Sequence, residues 1–528
     1  MDSQKIQQVV AYGLAIFVLS CASNTIVETK VAPSKIQDGG GCAQITSFFQ
    51  TELDPYWLKT DAAWEEYLRE RSSVSVNGRK LFAGYQKLRD DRALLSRAEA
   101  IEVASRGVSD DSCPDRPRLV RALELLHRSV LSAAVQSKEA NTEVLFRDFV
   151  RRNAAFGLAL PGEKSQISPG SLYSRLGNVD DRRQRENLAK LFQGGRAKKW
   201  MDWGFKDLVK ARNEEAIANG FKSYVEYQLS KIGWPLEDYQ ATMKRIHELW
   251  MNDLKAKFKA WGKNLGIVEL QFYDVPAFTQ AGLRAAFKAG SKNLLSNFPE
   301  DGTNWLCTQL GMPFVSVSSG KNDDDYWVAM IRQWQVSEEK ASHIFFETID
   351  PVEAGAMGFA ISELVLAPSF LKRWSDSPAR RATVVGRTIV VDPKNLLPPS
   401  VTRLIWAAMR ADLESQIYEH PDEDYADLWA KLFQENWGVE LLSFYSDWDD
   451  DSFLEVPGTA AGKVLAALTG HAIAKGLSEQ FPPGCCSRAI GDKLRQVGFA
   501  TGREYDYKRL LERLGIKDQL PSRLVEQY

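Results

Sequence analysis

From about residue 45 to the end of the chain, apolar residues recur three and four positions apart with charges between them. That period lines the apolar side chains along one stripe of an α-helix, whereas a half-buried strand needs strict alternation. The pattern is clear in Ala62-Ala63-Trp64-Glu65-Glu66-Tyr67-Leu68 and in residues 119–131, 144–158 and 187–217. Breaks are short and carry turn residues: Ser109-Asp110-Asp111 before Pro114, Leu160-Pro161-Gly162, Gly194-Gly195, and residues 299–302. Two runs read as strands, residues 326–335 and 382–391, flanking the centre of the chain. With no repeat period and no low-complexity tract, the expected fold class is all-α. It is a mainly helical body with a small β element.

Composition narrows the partners. The chain has 528 residues, 44% hydrophobic and 26% charged, which is ordinary globular usage. Its 67 Lys+Arg against 69 Asp+Glu leave no field to draw nucleic acid or an anionic membrane, so nucleic acid is set aside. Residues 9–19 are uninterruptedly apolar behind Lys5, too short for a spanning helix of about 20 residues and the length of a signal peptide over 1–20. Val18-Leu19-Ser20-Cys21 resembles a bacterial lipobox, which implies lipidation of Cys21 and an exported, membrane-anchored lipoprotein, periplasmic or cell-surface. An uncleaved anchor and plain secretion are the alternatives. Residues 21–44 are polar, contain Gly39-Gly40-Gly41 and read as a tether. Cys42 and Cys113 both sit in turn-rich segments and are able to pair in an oxidising compartment; two unpaired thiols is the other reading. No C-x-x-C spacing exists, so a zinc ribbon is excluded.

Three segments carry a resemblance. The first is Arg212-Asn213-Glu214-Glu215-Ala216-Ile217-Ala218-Asn219-Gly220-Phe221-Lys222-Ser223-Tyr224, where Gly220 suits a helix C-cap and Phe221 and Tyr224 suit pinning of the next helix. The second, residues 336–374, contains Glu339-Lys340-Ala341-Ser342-His343 and then Glu353-Ala354-Gly355-Ala356-Met357-Gly358-Phe359. The third, residues 451–514, opens with Val456-Pro457 before an apolar helix. In this order they resemble the α-helical zinc peptidases of the angiotensin-converting-enzyme and thimet-oligopeptidase type, over roughly residues 45–520. The resemblance implies a two-lobed helical body around a channel: a single domain over 45–528, with lobes of roughly 45–300 and 301–528.

The same resemblance exposes a defect. In H-E-x-x-H two His four residues apart bind zinc and the Glu serves as general base. Here Glu339 replaces the first His and Lys340 the Glu, while His343 matches the second His and Glu353 the ligand carboxylate. A charged Lys donates where a base must accept, and it repels Zn²⁺. Gly458 and Ala461 stand where the family's tyrosines would steady a tetrahedral intermediate. No catalytic residue and no cofactor are therefore expected, and the implied function is binding of a peptide or a partner protein. Two readings compete: an active zinc metallopeptidase hydrolysing short peptides with Glu339, His343 and Glu353 as ligands, and a structural envelope protein. The bland account makes Glu338, Glu339 and Lys340 a solvated helix face and His343 a satisfied buried histidine. Asp323-Asp324-Asp325 and Asp447-Trp448-Asp449-Asp450-Asp451 lack calcium-loop spacing and read as solvated turns. The 15 tryptophans, among them Trp57, Trp200 and Trp234, fall on helix faces where core packing is the default.

Overall fold

Several helices of this chain begin where a short polar side chain can accept from a free backbone N–H. Asp91, Asp181, Ser223, Asp424, Ser487 and Asp506 each cap a helix in this way. The computed structural model describes residues 41–528, except for 72–76, 110–111, 114, 155, 157, 160–165, 168–174, 191–195, 280–306, 308, 311–350, 367–398, 442–448, 450–452, 455–456, 482–486, 500–505, 517–519 and 528. The signal-peptide and tether segments up to residue 40, both strand candidates, and Glu339, Lys340 and His343 lie outside these residues.

In chain order the helices are α1 (Gly41–Phe48), α2 (Asp54–Arg71), α3 (Asn77–Arg89), α4 (Arg92–Ser105), α5 (Asp115–Ser129), α6 (Ala133–Ala154), α7 (Arg182–Ala189), α8 (Arg196–Asp202), α9 (Phe205–Ala218), α10 (Tyr224–Lys231) and α11 (Leu236–Asn264). They continue as α12 (Pro351–Leu366), α13 (Pro399–Glu419), α14 (Tyr425–Trp437), α15 (Thr459–Gln480) and three short closing helices, α16 (Arg488–Leu494), α17 (Tyr507–Arg513) and α18 (Pro521–Leu524). The β structure among the described residues is one antiparallel ladder, β1 (Leu158–Ala159) with β2 (Gln166–Ile167). It falls where the helical pattern of 144–158 runs out: the helix stops at Ala154. The fold class is all-α, as the periodicity implies.

One boundary shifts. Helix α1 begins at Gly41, so the segment read as a tether to residue 44 gives up its last four positions to ordered helix. Cys42 on α1 is joined to Cys113, Cα–Cα 5.4 Å. Within the described body the apolar residues gather in two cores. One apolar core gathers Ile45, Phe48, Leu94, Leu119 and Leu126 from α1, α4 and α5, with Leu53 from the π-helical turn between α1 and α2 and Trp57 from α2. A second, larger core runs from Phe146 to Val525 and contains Trp200, Trp234, Trp429 and Trp437. Its continuity across residue 300 has a simple cause. The long helix α11 packs on α13, α14 and α18, all on the far side of that boundary. Of the tryptophans singled out, Trp57, Trp200 and Trp234 are buried.

Candidate functional site

Helix α12 carries Glu353 in its first turn and lies flat against α15. The approach is close because small residues line it. A Cβ on Gly470 of α15 would fall 2.5 Å from both the Ala356 carbonyl oxygen and Phe359 Cβ, and one on Gly355 would fall 3.0 Å from Ala466 Cβ. Toward the other end of the pair, His471 Nδ1 of α15 meets Glu363 Oε2 of α12 at 2.6 Å, while Glu363 Oε1 is buried without a hydrogen-bond partner. The three candidate ligands Glu339, His343 and Glu353 are not brought together on the described residues, since only Glu353 is among them. Among those residues no group of three His, Cys, Asp or Glu is placed to hold a metal ion.

At the start of α15, Gly458 has φ +84° and donates its N–H to Glu414 Oε1 of α13 at 2.7 Å. A side chain there meets two obstacles: a left-handed backbone, and Gln228 Cβ 2.8 Å from the site of a Cβ. Ala461 is buried, and the gap between Gly458, Ala461, Tyr224, Gln228 and Tyr418 is about 10 Å³. The positions aligned with the family's tyrosines are thus closed over by α10 and α13. The phenols nearby, Tyr224 and Tyr418, have ring centroids 4.7 Å apart, and burial holds both hydroxyls above their ordinary pKa.

The Arg212 segment explains how this corner is built. Helix α9 ends in a Schellman turn. Gly220, at φ +86°, donates to the Ile217 carbonyl (3.0 Å) and Phe221 to that of Ala216 (3.1 Å). Arg212, buried on α9, donates to the carbonyls of Phe453 (2.7 Å) and Leu454 (2.6 Å) and to Tyr418 Oη (3.1 Å). Asn213 donates to the Tyr418 carbonyl (2.8 Å) and accepts from the Tyr224 N–H (3.3 Å). The motif is therefore a clasp that ties α9 and α10 to α13 and to the lead-in of α15.

Behind the clasp lies a buried polar group that sequence reading missed. Tyr67 of α2 donates to Glu143 of α6, and Glu139 accepts from Gln86 (2.8 Å) and Arg89 (2.5 Å) of α3. Burial pushes Glu143 up to about 8 against the pull of Arg147 and Arg212, and raises Glu215 of α9 as well. Lys231, at the end of α10, is held down to about 8 by burial, with Glu215 and Glu139 acting against the shift. Its Nζ lies 4.0 Å from the Tyr227 ring centroid. With its amide turned so that both ends are satisfied, Gln228 accepts from Tyr224 Oη (2.7 Å) and Lys231 Nζ (3.2 Å) and donates to the Pro457 carbonyl (3.3 Å). One chain of contacts thus joins the buried charges to the start of α15. The signal that marks them in the sequence is an ionisable residue on the apolar stripe, visible for Glu215 beside Ala216 but easily taken for a solvated face. The acidic run at 447–451 is not free to take up calcium in full: Asp449 is buried and paired with Arg196.

These helices, their clasp and their junction define a helical, peptidase-like fold. The solved structure of PZ peptidase A with inhibitor 2 superposes on it with a TM-score of 0.54 at 12% identity, covering 92% of this chain and 95% of that chain. The likeness is one of fold, and it runs nearly end to end. No family model matches the sequence, and no curated protein matches it.

Proposed function

We propose that this chain is a lapsed member of the zinc-oligopeptidase architecture that binds a peptide or a partner protein without hydrolysing it. The observation that carries the reading is Lys340 at the position of the general base, in a chain whose fold follows a peptidase over 92% of its length. A catalytic zinc needs a carboxylate beside the metal-bound water, and an ammonium group opposes both the ion and the proton transfer. The closed corner at Gly458 and Ala461 points the same way, since no side chain fits at 458 to steady an oxyanion. Glu339, His343 and Glu353 are zinc donors by chemical type, but the set lacks a general base beside it, and no step is derived through a metal. Lys340 is read as the charge that balances Glu339 and Glu353 where the ion once did.

Export and lipidation at Cys21 complete the proposal. They rest on the apolar run of residues 9–19 and on Val18-Leu19-Ser20-Cys21. The paired Cys42 and Cys113 accord with an oxidising compartment. Among the described residues no helix is long and apolar enough to cross a membrane.

Metal analysis and peptide turnover on the purified chain test the reading together. The expected result is no stoichiometric zinc, no chelator-sensitive cleavage, and a rise in melting temperature with added short peptides. Tightly held zinc with cleavage that is lost in Glu353→Gln or His343→Ala establishes the metallopeptidase instead. Incorporation of labelled fatty acid that disappears in Cys21→Ser tests the anchor separately.

A further inference from the structure

A sizeable cavity among the described residues lies away from the junction of α12 and α15. It is a groove of about 950 Å³ between the C-terminal half of α11, the loop that follows, and the end of α14. Its floor contains Phe258 and Trp437, both buried, with ring centroids 5.5 Å apart. One wall is a row of lysines, Lys255, Lys259 and Lys263, four residues apart and therefore on one face of α11. The other includes Ile267, Val268 and Leu270, and Val268 is fully exposed at 101%.

Among the described residues none of the three lysines makes an ion pair, whereas Lys257, between them in sequence, pairs with Asp253 at 3.1 Å. Only Lys263 lies in the last turn, where the helix dipole would account for it. The Lys255 stem lies 3.9 Å from the Cβ position on Gly438, which ends α14 at φ +68°. The carboxylates in the lining, Glu269 and Glu440, are exposed and belong to the loop and to the residues after α14.

We infer that this groove binds an extended peptide in which acidic and apolar residues alternate. Four residues of helix advance about 6 Å, which sets the spacing of the lysines. Alternate residues of an extended chain advance about 6.6 Å and point to the same side. Carboxylates at every second position then meet Lys255, Lys259 and Lys263 in turn, while the intervening apolar side chains face Ile267, Val268 and Leu270. Volume fits as well, since peptide and small-ligand clefts run to about 300–1,000 Å³. The groove shares no residue with the junction of α12 and α15, so the inference stands whichever way the zinc and turnover measurements fall.

Fluorescence anisotropy on the full chain tests it, with a labelled short peptide alternating Glu and Val and, as controls, peptides alternating Lys with Val and Glu with Gly. The expected result is saturable binding of the Glu-Val peptide that weakens with salt, weaker binding of Glu-Gly, and none of Lys-Val. The double variant Lys259→Glu/Lys263→Glu loses about tenfold or more in affinity at an unchanged melting temperature. Val268→Ser, at a fully exposed position, loses affinity without loss of fold. Equal binding of the Lys-Val peptide, or no effect of the charge reversals, overturns the inference. So does capture by phosphatidylglycerol vesicles that the same reversals abolish while the Glu-Val peptide stays unbound, because the lysines then serve a bilayer surface.

Discussion

Arg212 shows why a residue singled out by pattern can be structural. Its guanidinium satisfies two carbonyls and a phenol at once, a fork that Lys cannot reproduce. Arg212→Lys leaves at least one buried carbonyl without a donor and is expected to lower stability by about 2–3 kcal/mol in urea unfolding; an unmoved midpoint rules out the clasp. Glu143 makes a prediction of the opposite sign. Its carboxyl is held near 8 in the folded chain against about 4.3 when unfolded, so the folded state keeps a proton the unfolded state has released. Stability contributed by that proton is present below about pH 4 and is lost as pH rises toward 8. Glu143→Gln keeps an acceptor for Tyr67 and removes the slope. The variant should melt about 2 °C or more above the parent at pH 8.5 and level with it near pH 4.5. A constant difference at both pH values contradicts the buried-carboxyl account. Arg212 was legible from its motif, while Glu143 and Lys231 were not. A charge on a helix reads as solvated until another helix covers it, and nothing local in the sequence says which helix will.

Among the elements, the pair α12 and α15 sets the geometry of the site. Gly470→Ala places a methyl group into the Ala356 carbonyl and Phe359, and the pair has to part. The expected cost is about 1–3 kcal/mol, read by chemical denaturation, whereas the same change at exposed Gly84, which has open space around it, should be close to neutral. Parity between the two variants refutes the close packing. Local grammar was readable at this scale wherever a backbone rule decided the outcome. Gly220 was expected to end a helix and does so at φ +86°. The loss of helix after Ala154 was not readable, because the apolar spacing continues to Leu158 while the chain turns into a two-residue ladder. Two short strands held by tertiary contacts leave almost no periodic trace.

At the scale of the molecule, the first core depends on a covalent tie. The bond between Cys42 and Cys113 spans 71 residues, and in the chain-entropy view a loop of that length gains about 4 kcal/mol from closure. Reduction, or Cys42→Ser with Cys113→Ser, should expose residues 42–126 to limited proteolysis before the rest of the chain; simultaneous loss of both cores means that they unfold as one. The turn-rich setting of both cysteines was visible in the sequence, but their proximity depends on α1 packing against α5, which no spacing rule supplies. The partners of α11 were hidden for a related reason. Periodicity shows that α11 has an apolar face without showing that α13, α14 and α18 cover it. Helix α12, bolted to α15 through Gly470 and Gly355, has a mechanical corollary. Two helices that meet without a gap form a single strut, and the head of α15 is held in turn by Glu414, which accepts from the Gly458 N–H, and abuts Gln228.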